Sequence, residues 1–131
     1  MTYTSTYLGG TNCVVENELS HQVRTTAPQK FGGEGNTYSP TDLLGAALAS
    51  CITTVMAIYA NRHGADLTGT TVQVEKVLSP TGDIIGLPAT VKLPSSLDEK
   101  VRQGLETTAK AYPVHASLNP NINAPMTFEY F

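Results

Sequence analysis

Charge is scarce in this sequence. Of 131 residues only 15% are Asp, Glu, Lys or Arg, with 8 basic against 11 acidic and a net charge of −3. No run of Lys or Arg occurs, so the electrostatic footprint of a phosphate-backbone binder is missing and nucleic acid is not an expected partner. Cysteine is scarce too: Cys13 and Cys51 stand in dissimilar contexts, and the fold must rest on an apolar core rather than on disulfide staples. With 40% of residues in the AVILMFWYC set, there is material for one such core, and the length predicts one domain, residues 1–131. The N-terminus lacks a basic stretch followed by an apolar stretch and a small-residue cleavage site, which points to the reducing cytoplasm. His21, His63 and His115 are too scattered among the cysteines for any metal-ligand spacing, so neither a metal nor a cofactor is expected.

What is present is a pattern of short β segments and two unlike helices. From Met1 to Thr26 the residues favour strands broken at Gly9-Gly10 and at Asn17 to Ser20, which predicts a small meander with Cys13 on a strand. Ala27 to Asn36, with Pro28, Gly32, Gly33 and Gly35, predicts a loop without regular structure. Phe31-Gly32-Gly33-Glu34-Gly35 places glycines before a helix, but without a Lys they do not make a phosphate loop. Ser39-Pro40-Thr41-Asp42 predicts a helix start: Ser39 caps, Pro40 loses no hydrogen bond in the first turn, and Asp42 meets free N–H groups. That helix should end near Asn61 or Arg62, before Gly64.

Leu43 to Ala60 carries no charge over 18 residues, the lower limit of a membrane span. Gly45, Ser50, Thr53 and Thr54 interrupt the run and its flanks lack anchors, so the expected structure is a central helix between a sheet and a second body, not a membrane segment. Thr71 to Leu78 and Asp83 to Leu93 predict strands, with Pro88 marking an edge or bulge. Ser96-Leu97-Asp98-Glu99 predicts a capping box for an amphipathic helix with Leu97, Val101, Leu105, Ala109 and Tyr112 on one face, ended by Pro113. His115 to Pro125 predicts a loop, and Met126, Phe128 and Tyr130 a closing strand. The order strands–helix–strands–helix–strand defines an α+β class.

Cys51, mid-way along the apolar helix, is either a buried small hydrophobe or a nucleophile whose thiolate a cation supplied from elsewhere stabilises, because the helix dipole fades within a turn. Asp42 cannot serve it as a base along the same helix, since their separation in sequence corresponds to about 13 Å of rise. Arg24, the only Arg between Met1 and Gly45, is the candidate cation, against the plainer reading of a solvated strand residue. Cys13 is read as packing unless the fold brings it close to Cys51.

Ser39-Pro40-Thr41-Asp42-Leu43-Leu44-Gly45-Ala46-Ala47-Leu48-Ala49-Ser50-Cys51 resembles the S-P-x-[DE]-L-L-x-A-x-L-x-x-C segment of the OsmC/Ohr family. Tyr112-Pro113-Val114-His115-Ala116-Ser117-Leu118 is similar to that family's C-P-V-x-x-S-L terminus, and the resemblance spans nearly the whole chain. It implies an intertwined homodimer around a buried central helix, with sites built from both subunits. It also implies thiol peroxidase chemistry: Cys51 would attack an organic hydroperoxide and become a sulfenic acid. Tyr112 stands where the family pattern has the second, resolving Cys, which leaves three readings: an external thiol as resolver and reductant, recruitment of Cys13, or a fold kept without the chemistry. Thr41 stands where many of the peroxidases have a Glu. The leading expectation is a cytoplasmic homodimer of this OsmC-like type that reduces small hydrophobic hydroperoxides in oxidative-stress defence. Its catalytic residues would be Cys51 and Arg24, with Tyr112 and Asp42 at the substrate. The alternative is a small-molecule binding protein in which the same pocket holds an apolar ligand without turnover.

Overall fold

Alternation of residue type organises the N-terminal segment. In the computed structural model, which describes residues 1–131, β1 (Tyr3–Gly9), β2 (Asn12–Asn17) and β3 (Gln22–Thr25) form an antiparallel sheet in the order β1-β2-β3. Gly9 and Gly10, at φ of 103° and 58°, make the β1–β2 turn in a backbone region that costs glycine little. Cys13 lies opposite Tyr7 and Thr25, and Val14 opposite Thr6 and Arg24. Because successive side chains point to opposite faces, one face carries Tyr3, Ser5, Tyr7, Cys13, Val15, Val23 and Thr25 and holds no charge. The other carries Glu16 and Arg24, with Gln22 Nε2 donating to Glu16 Oε2 at 3.0 Å.

The glycine-rich segment after β3 is more ordered than its composition predicts. A single 3-10 turn spans Gln29–Phe31, started by Pro28 at φ −55° and closed by Gly32 at φ 94°, whose N–H donates to the Gln29 carbonyl. Proline fixes the entry angle and glycine permits the exit. Gly33 is also required: a Cβ there would lie 1.5 Å from the Ala27 carbonyl oxygen.

Helix α1 runs Pro40–Arg62, as its start and stop residues predict. The chain groups into two compact units, residues 1–44 and 45–131. By length and composition α1 is the one helix apolar enough to cross a membrane, with 28% of its most apolar window buried. Its buried positions are Gly45, Leu48, Ile52, Met56 and Ala60, an i, i+3, i+4 stripe on one side. Ala47, Ser50, Thr54 and Ile58 on the opposite side are exposed. The helix expected to be covered all round is therefore covered within this chain along one face.

The predicted strand Thr71 to Leu78 is two, β4 (Thr71–Val74) and β5 (Val77–Leu78), and Asp83 to Leu93 likewise divides into β6 (Ile84–Gly86) and β7 (Ala89–Leu93). Pro88 causes the second break, having no N–H for a ladder; its carbonyl accepts from Glu75 N at 3.0 Å. Helix α2 (Glu99–Lys110) starts later than predicted. Asp98, not Ser96, is the cap, its carboxylate accepting from Val101 N at 2.9 Å. Nor does Pro113 merely end a helix: it opens α3 (Pro113–Ala116), where its missing N–H is no loss. The segment predicted as loop from His115 thus begins inside a helical turn.

The closing strand β8 (Met126–Tyr130) pairs parallel with β7, which also pairs antiparallel with β4, giving a sheet ordered β4-β7-β8. β7 is therefore central, and Ala89, Val91 and Leu93 on its inner face are buried with Leu48, Ile52 and Met56 of α1 and Leu105 of α2. Helix α2 lies in the crossover between the parallel strands and is tied to β8, with Tyr130 Oη donating to Glu106 Oε1 and the Arg102 guanidinium 4.6 Å from the Tyr130 ring centre.

Candidate functional site

Cys51 sits at the border between the buried and uncovered faces of α1, half-exposed and with no disulfide. Tyr112 is its neighbour. The short turn of α3 fixes this residue: its carbonyl accepts from Ala116 N at 3.1 Å, and its ring lies 5.2 Å from that of His115. Tyr112 is 3% exposed. Burial, and next the negative charge that Cys51 acquires as a thiolate, push the Tyr112 phenol up from 10 to about 12. Desolvation and a like charge both disfavour the phenolate. At neutral pH the phenol thus stays protonated near the thiol.

Beyond Cys51, the next turns of α1 form one wall of a cavity of about 200 Å³ lined by Val55, Ile58, Tyr59, Arg62, Thr108 and Ala111. Val55 is one turn from Cys51, and Ala111 directly precedes Tyr112, so the cavity runs away from the thiol along α1 and α2. Its middle is apolar and Arg62 gives its far end a positive charge. Arg62 lies three turns beyond Cys51 on the same helix, about 16 Å along its axis. The i, i+4, i+7, i+11 spacing of Cys51, Val55, Ile58 and Arg62 was the available signal.

Tyr59 shapes this cavity through close packing on both sides. Its ring stacks on His63 at 4.0 Å between centroids, and its hydroxyl end lies over Gly104 of α2, where an added Cβ would fall 1.8 Å from Oη. Gly104→Ala should therefore displace Tyr59 and cost about 1–3 kcal/mol, measured as a lowered denaturation midpoint at unchanged slope. An unchanged midpoint would show that Tyr59 moves freely.

The other two expected site residues lie in the unit of residues 1–44. Asp42 makes a reciprocal cap: its Oδ2 accepts from Ser39 N at 2.8 Å, while Asp42 N donates to Ser39 Oγ at 3.2 Å. It also lines a cavity of about 470 Å³ with Gly35, Asn36, Thr37 and Tyr38. Arg24 is exposed on β3 and lines a cavity of about 410 Å³ together with Cys13, Thr25, Asn12, Asn36 and Thr37. Cys51 and Tyr112 are thus the two expected residues that come together within one unit.

A helix uncharged from Leu43 to Ala60 that presents a half-exposed thiol near a buried phenol, in a chain of small sheets and an amphipathic helix, defines a thiol-bearing α+β protein. The chain belongs to the OsmC-like protein family, whose profile matches residues 33–126. A crystal structure of an osmotic stress induced and detoxification response protein from Psychrobacter arcticus is similar over 98% of this chain and 95% of that one, at 30% identity and a TM-score of 0.88. An organic hydroperoxide resistance protein from Legionella pneumophila shares the fold at 21% identity, covering 98% and 97% of the two chains with a TM-score of 0.69. Another, from Elizabethkingia anophelis, does so at 19% identity, covering 100% and 97% with a TM-score of 0.73. No curated protein matches the chain.

Proposed function

We propose that the chain is a cytoplasmic homodimer that reduces organic hydroperoxides through Cys51, with an external thiol as reductant, in defence against oxidative stress. The observation that carries this reading is the half-exposed Cys51 thiol near the buried, protonated Tyr112 phenol, one helical turn from Val55 in the wall of a largely apolar cavity. Names given to proteins of the same fold point the same way. The uncovered stripe of α1 supports the dimer, because a charge-free helix face open to water is the surface a second copy would bury.

The Cys51 thiolate attacks the terminal oxygen of the hydroperoxide. An S–O bond forms, the O–O bond breaks, and the alkoxide leaves as an alcohol after taking a proton. Sulfur loses two electrons to become the sulfenic acid, and the peroxide is reduced by two. Tyr112, buried and protonated near the thiol, keeps this side of the site neutral, while Val55 and Ile58 accommodate the organic group.

Consumption of cumene hydroperoxide with a dithiol present, by wild type and by Cys51→Ser, tests the proposal. Turnover should be lost in the variant, and mass spectrometry should show wild-type Cys51 oxidised, as a sulfenic acid or a disulfide, under substoichiometric thiol. Equal turnover by the two proteins would defeat it. No turnover by a folded wild type whose Cys51 stays unmodified would leave the cavity as a binding site for an apolar ligand.

A further inference from the structure

Arg62 is the one charged residue in the wall of the cavity along α1 and α2, and no acid of the chain pairs with it. Asp66, just beyond the end of α1, accepts instead from Thr68 N at 2.9 Å and from Thr68 Oγ1 at 2.6 Å. Glu106, the acid of α2 closest in sequence to Thr108 and Ala111, accepts from Tyr130 Oη. Lys110 of α2 is turned to β8, its Nζ 5.6 Å from the Phe128 ring centre. A basic residue in the last turn of a helix suits the dipole, but that does not account for the apolar wall beside this one. Val55, Ile58, Tyr59 and Ala111 supply that wall.

An unpaired guanidinium at the end of an apolar cavity fits a ligand with an apolar body and a carboxylate, which the planar fork of Arg binds through two parallel hydrogen bonds. The volume limits the body. Sites for drug-sized ligands hold about 300–1,000 Å³, and about 200 Å³ admits a single aromatic ring or a short branched chain rather than a long acyl chain. Tyr59 favours the ring: stacked on His63 and seated over Gly104, it offers a fixed aromatic wall for offset or edge-to-face contact. The spacing sets the direction. Cys51 and Arg62 stand about three turns apart on one side of α1, and helical side chains tilt toward the N-terminus, which brings the guanidinium back toward the thiol.

We propose that this cavity is the subsite for the organic group of the hydroperoxide, and that it selects small aryl hydroperoxides carrying a carboxylate, held by Arg62 with the peroxide directed to Cys51. The proposal rests on the reading of Cys51 as the thiol that peroxide oxidises. Arg62 is here a specificity residue: it pairs with the end of the substrate away from the reacting oxygens and takes no part in O–O cleavage.

Binding is measured first, without turnover, in Cys51→Ser. There 4-isopropylbenzoate should bind about fivefold more tightly than the neutral 4-isopropylbenzyl alcohol, the size expected of a partly exposed ion pair. Adding Arg62→Gln should remove that preference, Arg62→Lys should retain part of it, and salt should weaken it. Amide chemical shifts of Val55, Ile58, Thr108 and Ala111 should report the contact. With Cys51 intact, kcat/KM for 4-carboxycumene hydroperoxide should exceed that for cumene hydroperoxide by a similar factor, and the ratio should fall to about one in Arg62→Gln. Equal affinity for the acid and the alcohol, or a preference that survives Arg62→Gln, would overturn the inference. Turnover of both hydroperoxides at a ratio independent of Arg62 would overturn it too and leave the peroxidase reading standing. Arg62-dependent binding of the acid without turnover of either hydroperoxide would overturn the peroxidase reading, and with it the assignment of the cavity to a substrate.

Discussion

Leu48→Asp should unfold the protein, and Ile58→Asp should leave it folded but monomeric. Leu48 is fully buried on the inner stripe of α1 with Ile52 and Met56, whereas Ile58 is 47% exposed on the opposite side. A carboxylate at Leu48 has no cation or donor waiting for it. It also removes a large apolar side chain, whose loss alone costs about 2–5 kcal/mol, and adds the penalty of a buried unpaired charge. Together these approach the total stability of an ordinary domain, about 5–15 kcal/mol. At Ile58 the new charge stays in water in a single copy and becomes costly only if a second copy covers it. Circular dichroism and sedimentation velocity separate the two outcomes: loss of helix signal for Leu48→Asp, and a native spectrum with a halved mass for Ile58→Asp. A native dimer in the second case would mean that α1 does not use this face for assembly.

Tyr112→Ala should cost about 3–5 kcal/mol by leaving a cavity where an aromatic ring is buried, while Tyr112→Phe should fold with little loss. The two variants also differ from the wild type in alkali. The Tyr112 phenol is raised from 10 to about 12 by burial and by the Cys51 charge. Tyr130 is raised to a similar value by burial and by its bond to Glu106. A phenol whose pKa is higher in the folded state contributes its stabilisation in full below the unfolded value, near pH 10, and loses it as pH climbs through about 12. Unfolding measured from pH 9 to 12 should therefore show stability falling across that window, less steeply in Tyr112→Phe. The same variant should lack one late-ionising phenol when absorbance at 295 nm is followed. An identical titration would mean that Tyr112 is not the buried phenol beside the thiol.

Much of this structure follows from local chemistry. Ser39, Pro40 and Asp42 start α1 because they satisfy free N–H groups within the same few residues, and Arg62 and Gly64 end it for equally local reasons. The meander of β1 to β3 and the closing strand β8 follow from alternation. Where two local solutions compete the sequence is ambiguous. Ser96 and Asp98 are both able to cap α2, and Asp98 does so by bonding Val101 N. Pro113 can end one helix or begin another and here begins α3.

The sequence by itself determined that a single thiol, Cys51, rides on a long helix uncharged from Leu43 to Ala60, and that Tyr112 rather than a cysteine precedes Pro113. Helix periodicity and residue type are properties of neighbours along the chain, so both were legible. Only the tertiary structure decided that α1 buries one face and leaves the other open, and that β8 pairs parallel to β7. It alone brought Tyr112 against Cys51 with Tyr59 wedged over Gly104, and it alone set Cys13 on the charge-free face of its sheet, bonded to Thr25. Each of these depends on which distant segment fills a given volume. A chain with only 15% charged residues offers little long-range complementarity from which that choice could be read.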